Sequence, residues 1–170
     1  MLQHPNLVAL DRIIQAARHP DIRDFASHIR SIHPQDRLPS RTAFDPLAVP
    51  RLLSGIVMVE VERRPEIQQP RFRVTVAGQG VLDASPVPMM GRHIDEIASQ
   101  ITGGRVVLDV RQQVLETGST YYWYGPPRMK FRYDFARLEY VHCPLARDGE
   151  TIDHIISMFH YEAMDIGAGP

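Results

Sequence analysis

Residues 135–161 of the chain read FARLEYVHCPLARDGETIDHIISMFHY and contain two extended segments joined by a turn. The segments 135–143 and 151–161 are rich in residues that favour extended backbone, above all aromatic and branched aliphatic ones. Asp148-Gly149 lies between them, and glycine accepts the positive φ that a tight turn requires. The sequence therefore predicts a β-hairpin whose tip lies at residues 147–150.

The second strand of this hairpin has no purely polar face. Alternate residues of a strand point to opposite sides of a sheet. Ile156 and Met158 would share one side, and Ile155 and Phe159 would share the other. Because both sides carry large apolar side chains, we expect both faces of the sheet to be covered.

Further strands and helices are predicted before this hairpin. Residues 56–62 and 71–77 are extended runs, and the second alternates between apolar and polar side chains. The aromatic residues 121–124 belong to a third strand that leads into the hairpin. Residues 78–95 contain glycines and prolines and predict short helical turns, whereas residues 105–116 predict a longer helix. These elements indicate an α+β protein.

Two helices are predicted at the N-terminal end. Apolar residues recur at the three-four spacing of a helix in residues 7–17 and again in residues 22–32, with His19-Pro20 between the two runs. Asp45-Pro46 then marks the start of a short helix that continues through Leu53. The apolar faces of the first two helices can pack on the outer face of the sheet or pair with a second copy of the chain.

Composition narrows the class of protein. The chain has 170 residues, of which 44% are hydrophobic and 23% charged, and this is typical of one folded domain with an extension. A net charge of −1 with interleaved arginines and acids argues against nucleic-acid binding. No run approaches the roughly 20 apolar residues of a membrane helix, and no signal peptide is recognised. We therefore expect a cytoplasmic protein that binds neither nucleic acid nor membrane.

Four short motifs then occur in a defined order. They are LPSRTAFDP at residues 38–46, RFRVTVAG at residues 71–78, Gly91-Arg92, and PLARDG at residues 144–149. With the order of elements, they resemble the PAS domain, and more narrowly a small bacterial stand-alone PAS subfamily typical of alphaproteobacteria. The resemblance implies a PAS-like five-stranded antiparallel sheet with short helices on one face and N-terminal helices outside. It also implies a small-molecule cavity and dimerisation through an N-terminal helix, but no catalytic activity.

The resemblance to the PAS domain predicts four parts of the chain. Residues 1–37 form an N-terminal helical extension, and residues 38–53 form a linker with a short helix. Residues 54–162 form the PAS domain, and residues 163–170 are a C-terminal tail.

A ligand cavity is expected between the sheet and the segment of short helices, because irregular helices rich in glycine and proline pack less densely on a sheet than one long helix would. A completely filled core is the alternative. The residues predicted to line the cavity are Val81, Met89, Met90, His93, Val107, Val110, Tyr122, Leu138, Tyr140, His142, Ile156 and Met158.

The sequence does not identify a cofactor, and its motifs support neither haem nor flavin. Haem-binding PAS domains place the axial histidine on the longer helix, and residues 105–116 contain none, which leaves only His93 and His142 near the expected cavity. Flavin photochemistry in this family requires a cysteine on the helical side, whereas Cys143 is predicted on a strand. His154 and His160 would share one strand face about 20 Å apart, too far to bind a single metal ion.

Three functions are compatible with the sequence. The first is a sensory or regulatory PAS domain that binds a small molecule or a signalling protein and acts through a conformational or dimer change, as a homodimer joined by its N-terminal helices. The second is a protein-interaction scaffold with a filled core. The third is a small enzyme that uses His142 with Tyr140, although no acidic partner is visible for this pair.

Overall fold

The computed structural model describes residues 2–165 and contains one five-stranded sheet. The order of the strands is β2-β1-β5-β4-β3, and every neighbouring pair is antiparallel. This confirms the predicted α+β fold and its PAS-like sheet. The strands are β1 (Ile56–Glu62), β2 (Arg71–Ala77), β3 (Tyr121–Gly125), β4 (Phe135–Leu145) and β5 (His154–Ala163).

Five α-helices within residues 2–165 lie on the two faces of the sheet. The two N-terminal helices, α1 and α2, pack on one face, and the three later helices, α3, α4 and α5, pack on the other. No helix within residues 2–165 is long and apolar enough to cross a membrane. Residues 166–170, which make up most of the predicted C-terminal tail, lie outside the described residues. The helices are α1 (Pro5–Ala16), α2 (Pro20–Ile32), α3 (Gln79–Ala84), α4 (Ile94–Ser99) and α5 (Arg105–Thr117).

The predicted hairpin is the pair β4–β5, and its turn is where the sequence placed it. Gly149 has a φ of 85°. The Asp148 carboxylate accepts hydrogen bonds from the backbone N–H groups of Glu150 (2.9 Å) and Thr151 (2.7 Å). These bonds hold the backbone in the turn, and β5 accordingly begins at His154, later than the predicted Thr151.

The segment before β1 differs from the single short helix that was predicted. Asp45 does accept a hydrogen bond from the Leu47 N–H (2.9 Å), as a helix cap would. The chain then forms two 3-10 segments, Pro46–Ala48 and Pro50–Gly55, instead of one α-helix. Pro50 lacks the N–H that a continuous helix would need at that point.

Both faces of the sheet are covered, as the hairpin pattern predicted. Val57, Val59 and Phe72 pack with the later helices in one buried cluster. Met58 and Val141, which point the other way, pack with α1 and α2 in a second buried cluster. The N-terminal helices are therefore docked on their own sheet, and their apolar stripes are buried within one chain.

The junction between α1 and α2 is fixed to the sheet by one buried carboxylate. Glu139 of β4 is 2% exposed. Its oxygens accept hydrogen bonds from the backbone N–H groups of Arg18 (2.7 Å) and His19 (2.9 Å) and from the Tyr122 hydroxyl (3.0 Å). Since both backbone groups belong to the short link between the helices, Glu139 determines where the helical pair meets β4.

Replacing Glu139 with glutamine is expected to lower the free energy of unfolding by about 1.5 kcal/mol, because the new amide group faces a backbone N–H and leaves that donor unsatisfied. Urea denaturation measures the loss. Hydrogen exchange at the Arg18 and His19 amides should also accelerate. The exposed Glu150 provides the control: Glu150→Gln should change neither quantity, and equal effects of the two substitutions would contradict the anchoring role of Glu139.

Candidate ligand-binding cavity

A cavity of about 60 Å³ lies between the sheet and helices α3, α4 and α5. By the measure in which one water molecule needs about 10–15 Å³, this space holds about four water molecules. Its wall is mostly apolar. The polar side chains that reach it are Ser85, Arg111, Arg128, Tyr140, His142 and Tyr161.

Several of the residues predicted to line a cavity lie in the wall of this space between the sheet and the later helices. Three of them belong to helices α3 and α5, one to the loop after α3, and the other three are alternate residues of β4. The predicted residues that line the cavity are Val81, Met89, Val107, Val110, Leu138, Tyr140 and His142.

Three predicted residues lie on the opposite face of the sheet. Ile156 and Met158 are buried in the cluster formed with α1 and α2, and the Tyr122 hydroxyl donates to Glu139 on that same side. The alternation along β5 was predicted correctly, but the wrong set was assigned to the cavity. Phe159 and Tyr161 are the β5 residues that line it.

Two more predicted residues lie outside the cavity wall. Met90 is 50% exposed. The His93 imidazole is within hydrogen-bonding distance of the Glu62 carboxylate, with Nε2 3.0 Å from Oε2. The Glu62 carboxylate at the end of β1 thus holds His93 at the edge of the sheet.

The most unusual residue of the cavity is Arg111 of α5, which was not among the residues predicted from the sequence. Its side chain is 2% exposed. Nη1 donates to the carbonyl oxygen of Val107 (2.7 Å), and Nε has no partner among the described residues. Burial lowers the pKa of Arg111 to about 10, so the guanidinium is still cationic at neutral pH. The cavity therefore contains a positive charge without a carboxylate beside it in residues 2–165.

A neutral histidine lies close to this cation. His142 is 1% exposed, and its Nδ1 is 2.5 Å from the Ser157 hydroxyl. Burial, and next the positive charge of Arg111, lower the pKa of His142 well below its ordinary value. His142 thus adds hydrogen-bonding capacity to the cavity without adding charge.

Tyr140 and Arg128 form the polar rim of the cavity. The exposed Arg128 donates to the Tyr140 hydroxyl (2.5 Å), and its guanidinium lies 4.4 Å from the centre of the Trp123 ring. Burial raises the pKa of Tyr140, which keeps the phenol neutral. Arg128 is therefore engaged with aromatic partners at the surface, in contrast to the buried Arg111.

Other residues with reactive side chains lie away from the cavity. Cys143 is fully buried in the cluster beneath α1 and α2, and burial raises the pKa of its thiol to about 12. The His160 ring stacks on His19, with 3.4 Å between the ring centres, while His154 hydrogen-bonds Asp153. Within the described residues, no three His, Cys, Asp or Glu side chains lie close enough together to bind a metal ion.

The cavity thus combines an apolar wall, one buried cation and several neutral hydrogen-bonding groups. That combination is suited to holding a small molecule in one orientation. One feature of the sequence could have indicated that Arg111 is buried, because Val107, Val110, Arg111 and Val114 share one face of the predicted helix.

No family model matches this chain, and no curated protein matches it significantly.

Proposed function

We propose that this protein is a sensory or regulatory module of the PAS type, which binds a small molecule in the cavity and acts through a conformational change, without a catalytic output. The observation that carries the proposal is the buried, unpaired guanidinium of Arg111 in an apolar cavity. A buried charge is costly unless an opposite charge and hydrogen bonds compensate it. The described residues supply the Arg111 guanidinium with one hydrogen bond and no anion. A bound molecule that carries a negative charge would compensate the buried cation.

The alternation of β4 supplies a route from the cavity to the other face of the sheet. Tyr140 and His142 line the cavity, while Glu139 and Val141 contact the N-terminal helices. A ligand that shifts β4 would therefore also shift the hydrogen bonds of Glu139 to the α1–α2 link. The equilibrium between positions of the α1–α2 pair would then shift by the difference in the ligand's binding free energy for those positions.

We also propose a location and partners for the protein. It acts in the cytoplasm, as a homodimer joined by its N-terminal helices, on a signalling protein. The apolar stripes of α1 and α2 already cover the sheet, so the dimer would use the outer faces of these helices. Deleting residues 1–37 would not be a clean test of the homodimer, because the deletion would expose one apolar face of the sheet. Light scattering on the undeleted chain therefore tests whether the homodimer forms.

A thermal-shift screen of small metabolites tests ligand binding. At 100 times its Kd, a ligand that binds only the folded protein adds about 2.7 kcal/mol to the free energy of unfolding, which for a protein of this size corresponds to a rise in Tm of roughly 5–10 °C. Hydrogen exchange then tests transmission. Amides at residues 17–19 should change their exchange rate when the ligand binds, although they lie on the opposite face of the sheet.

Two results would count against this function. If no compound raises the Tm, the ligand-binding half is wrong. If a ligand binds but exchange at residues 17–19 is unchanged, the transmission half is wrong. Glu139→Gln is the matched variant, since it should retain ligand binding while weakening the response at residues 17–19.

The small volume of the cavity favours a second candidate, a protein-interaction scaffold with a nearly filled core. About 60 Å³ is little space for a metabolite unless side chains move. A scaffold would show no thermal shift with any small molecule, yet it would still associate through its surface helices.

A further inference from the structure

We propose that the cavity binds a small apolar monocarboxylic acid whose carboxylate pairs with the guanidinium of Arg111. This inference rests on the proposed ligand-binding function and names the class of ligand. It follows from the hydrogen-bonding capacity of Arg111, the number of charges at the site, and the chemistry of the wall.

Arg111 has unused hydrogen-bonding capacity directed at a planar anion. A guanidinium carries five N–H donors, and the structure gives Arg111 one hydrogen bond, to the Val107 carbonyl. Nε has no partner within residues 2–165. Carboxylates bind guanidinium groups through two parallel hydrogen bonds, so one carboxylate would satisfy the donors that the protein leaves open.

The number of charges favours a single negative charge on the ligand. Arg111 is buried, whereas Arg128 is exposed and already engaged with Tyr140 and Trp123. A phosphate dianion or a dicarboxylate would bring a second negative charge into the cavity. His142 is held neutral, so that second charge would be buried without compensation.

The neutral groups near Arg111 suit a carboxylate as well. Arg111, Tyr140, His142 and Tyr161 all reach the same cavity. Hydroxyl and imidazole groups can donate to the carboxylate lone pairs that the guanidinium does not occupy. The charged end of the ligand would therefore meet only donors or neutral groups.

The remaining wall selects the rest of the ligand. Val81, Ile94 and Phe159 are among the apolar residues that line it. Met89 and Met129 also line it, and unbranched methionine side chains repack readily around ligands of different shape. A short alkyl chain or a single aromatic ring fits this description, with the methionines moving to enlarge the space.

The experiment is a titration of the whole 170-residue chain, with calorimetry and thermal shift as the measurements. The probes are straight-chain acids from propionate to octanoate, benzoate and phenylacetate, each compared with its primary amide, together with inorganic phosphate. We expect at least one acid to bind about 100-fold more tightly than its amide, because the charged pair of hydrogen bonds is lost in the amide. Phosphate should not bind. Equal affinity for acid and amide, or tighter binding of phosphate, would overturn the inference.

Two variants separate a direct pairing from a general effect of charge. Arg111→Met should weaken binding of the best acid about 100-fold and leave its amide unaffected. Arg105→Met removes an exposed arginine from the same helix (side chain 84% exposed) and should bind the acid as the original protein does. Unchanged acid binding in Arg111→Met would overturn the inference. The comparison of acid with amide on the unaltered protein decides the matter even if that variant folds poorly.

Together with the thermal-shift screen of metabolites, this titration distinguishes failure of the monocarboxylate inference from failure of the proposed ligand-binding function. If neutral molecules bind in the cavity and acids do not, the monocarboxylate inference fails while ligand binding stands. If nothing binds, both fail.

Discussion

Replacing Gly78 with alanine is expected to destabilise the protein by about 3 kcal/mol or more, because the new methyl group would collide with backbone. A Cβ on Gly78 would lie 2.1 Å from the Leu53 carbonyl oxygen and 2.4 Å from that of Ser54. Neither atom can rotate away as a side chain would. The Gly78 N–H also donates to the Ile56 carbonyl oxygen (2.7 Å), so a shift at Gly78 would strain the start of β1.

Gly118 provides the control for this substitution. It ends α5 with a φ of 63°, and a Cβ there would meet no atom within 4 Å. Gly118→Ala should cost only about 1 kcal/mol, from the left-handed backbone alone. Urea denaturation of both variants measures the difference. If Gly78→Ala were as mild as Gly118→Ala, the backbone at the start of β1 would be far more adaptable than the structure implies.

Gly78 also illustrates what sequence patterns can and cannot reveal. The sequence predicts an extended run over residues 71–77 that ends before the glycines at 78 and 80, and the structure agrees, since β2 ends at Ala77. The close approach to Leu53 could not be inferred, because it depends on how the 3-10 segment before β1 is placed. Local chemistry predicted the element boundary, but only tertiary packing explains why glycine is needed.

For the candidate site as well, local sequence patterns predicted some features and tertiary packing determined the others. The period-two pattern of β5 separates its side chains into two sets, and the β4–β5 turn follows from Asp148-Gly149. With apolar residues in both sets, the pattern alone does not tell which set faces α3 to α5, and Ile156 and Met158 were assigned to the wrong side. Arg111 was missed for a related reason. An arginine on an otherwise apolar helix face suggests a solvated edge, whereas here the cavity encloses it.

Replacing Arg111 with methionine is expected to stabilise the ligand-free protein by about 2 kcal/mol, because it removes a buried charge that has no anionic partner. Methionine is a flexible side chain that fills irregular apolar space. The lost hydrogen bond leaves no orphaned acceptor, since the Val107 carbonyl lies inside α5 and also accepts along the helix. For a protein of this size, the gain corresponds to a rise in Tm of about 4–8 °C.

Thermal unfolding of the ligand-free protein measures this gain, with Arg105→Met as the control. Arg105 is exposed and pairs with Asp109 within α5 (3.4 Å), and an exposed pair of this kind contributes about 0–1 kcal/mol. Its replacement should therefore leave the Tm nearly unchanged. A loss of stability in Arg111→Met would mean that the guanidinium supports the fold, and the case for a missing anion would weaken. A gain in stability together with lost acid binding would mean that the protein keeps a costly charge for the sake of its ligand.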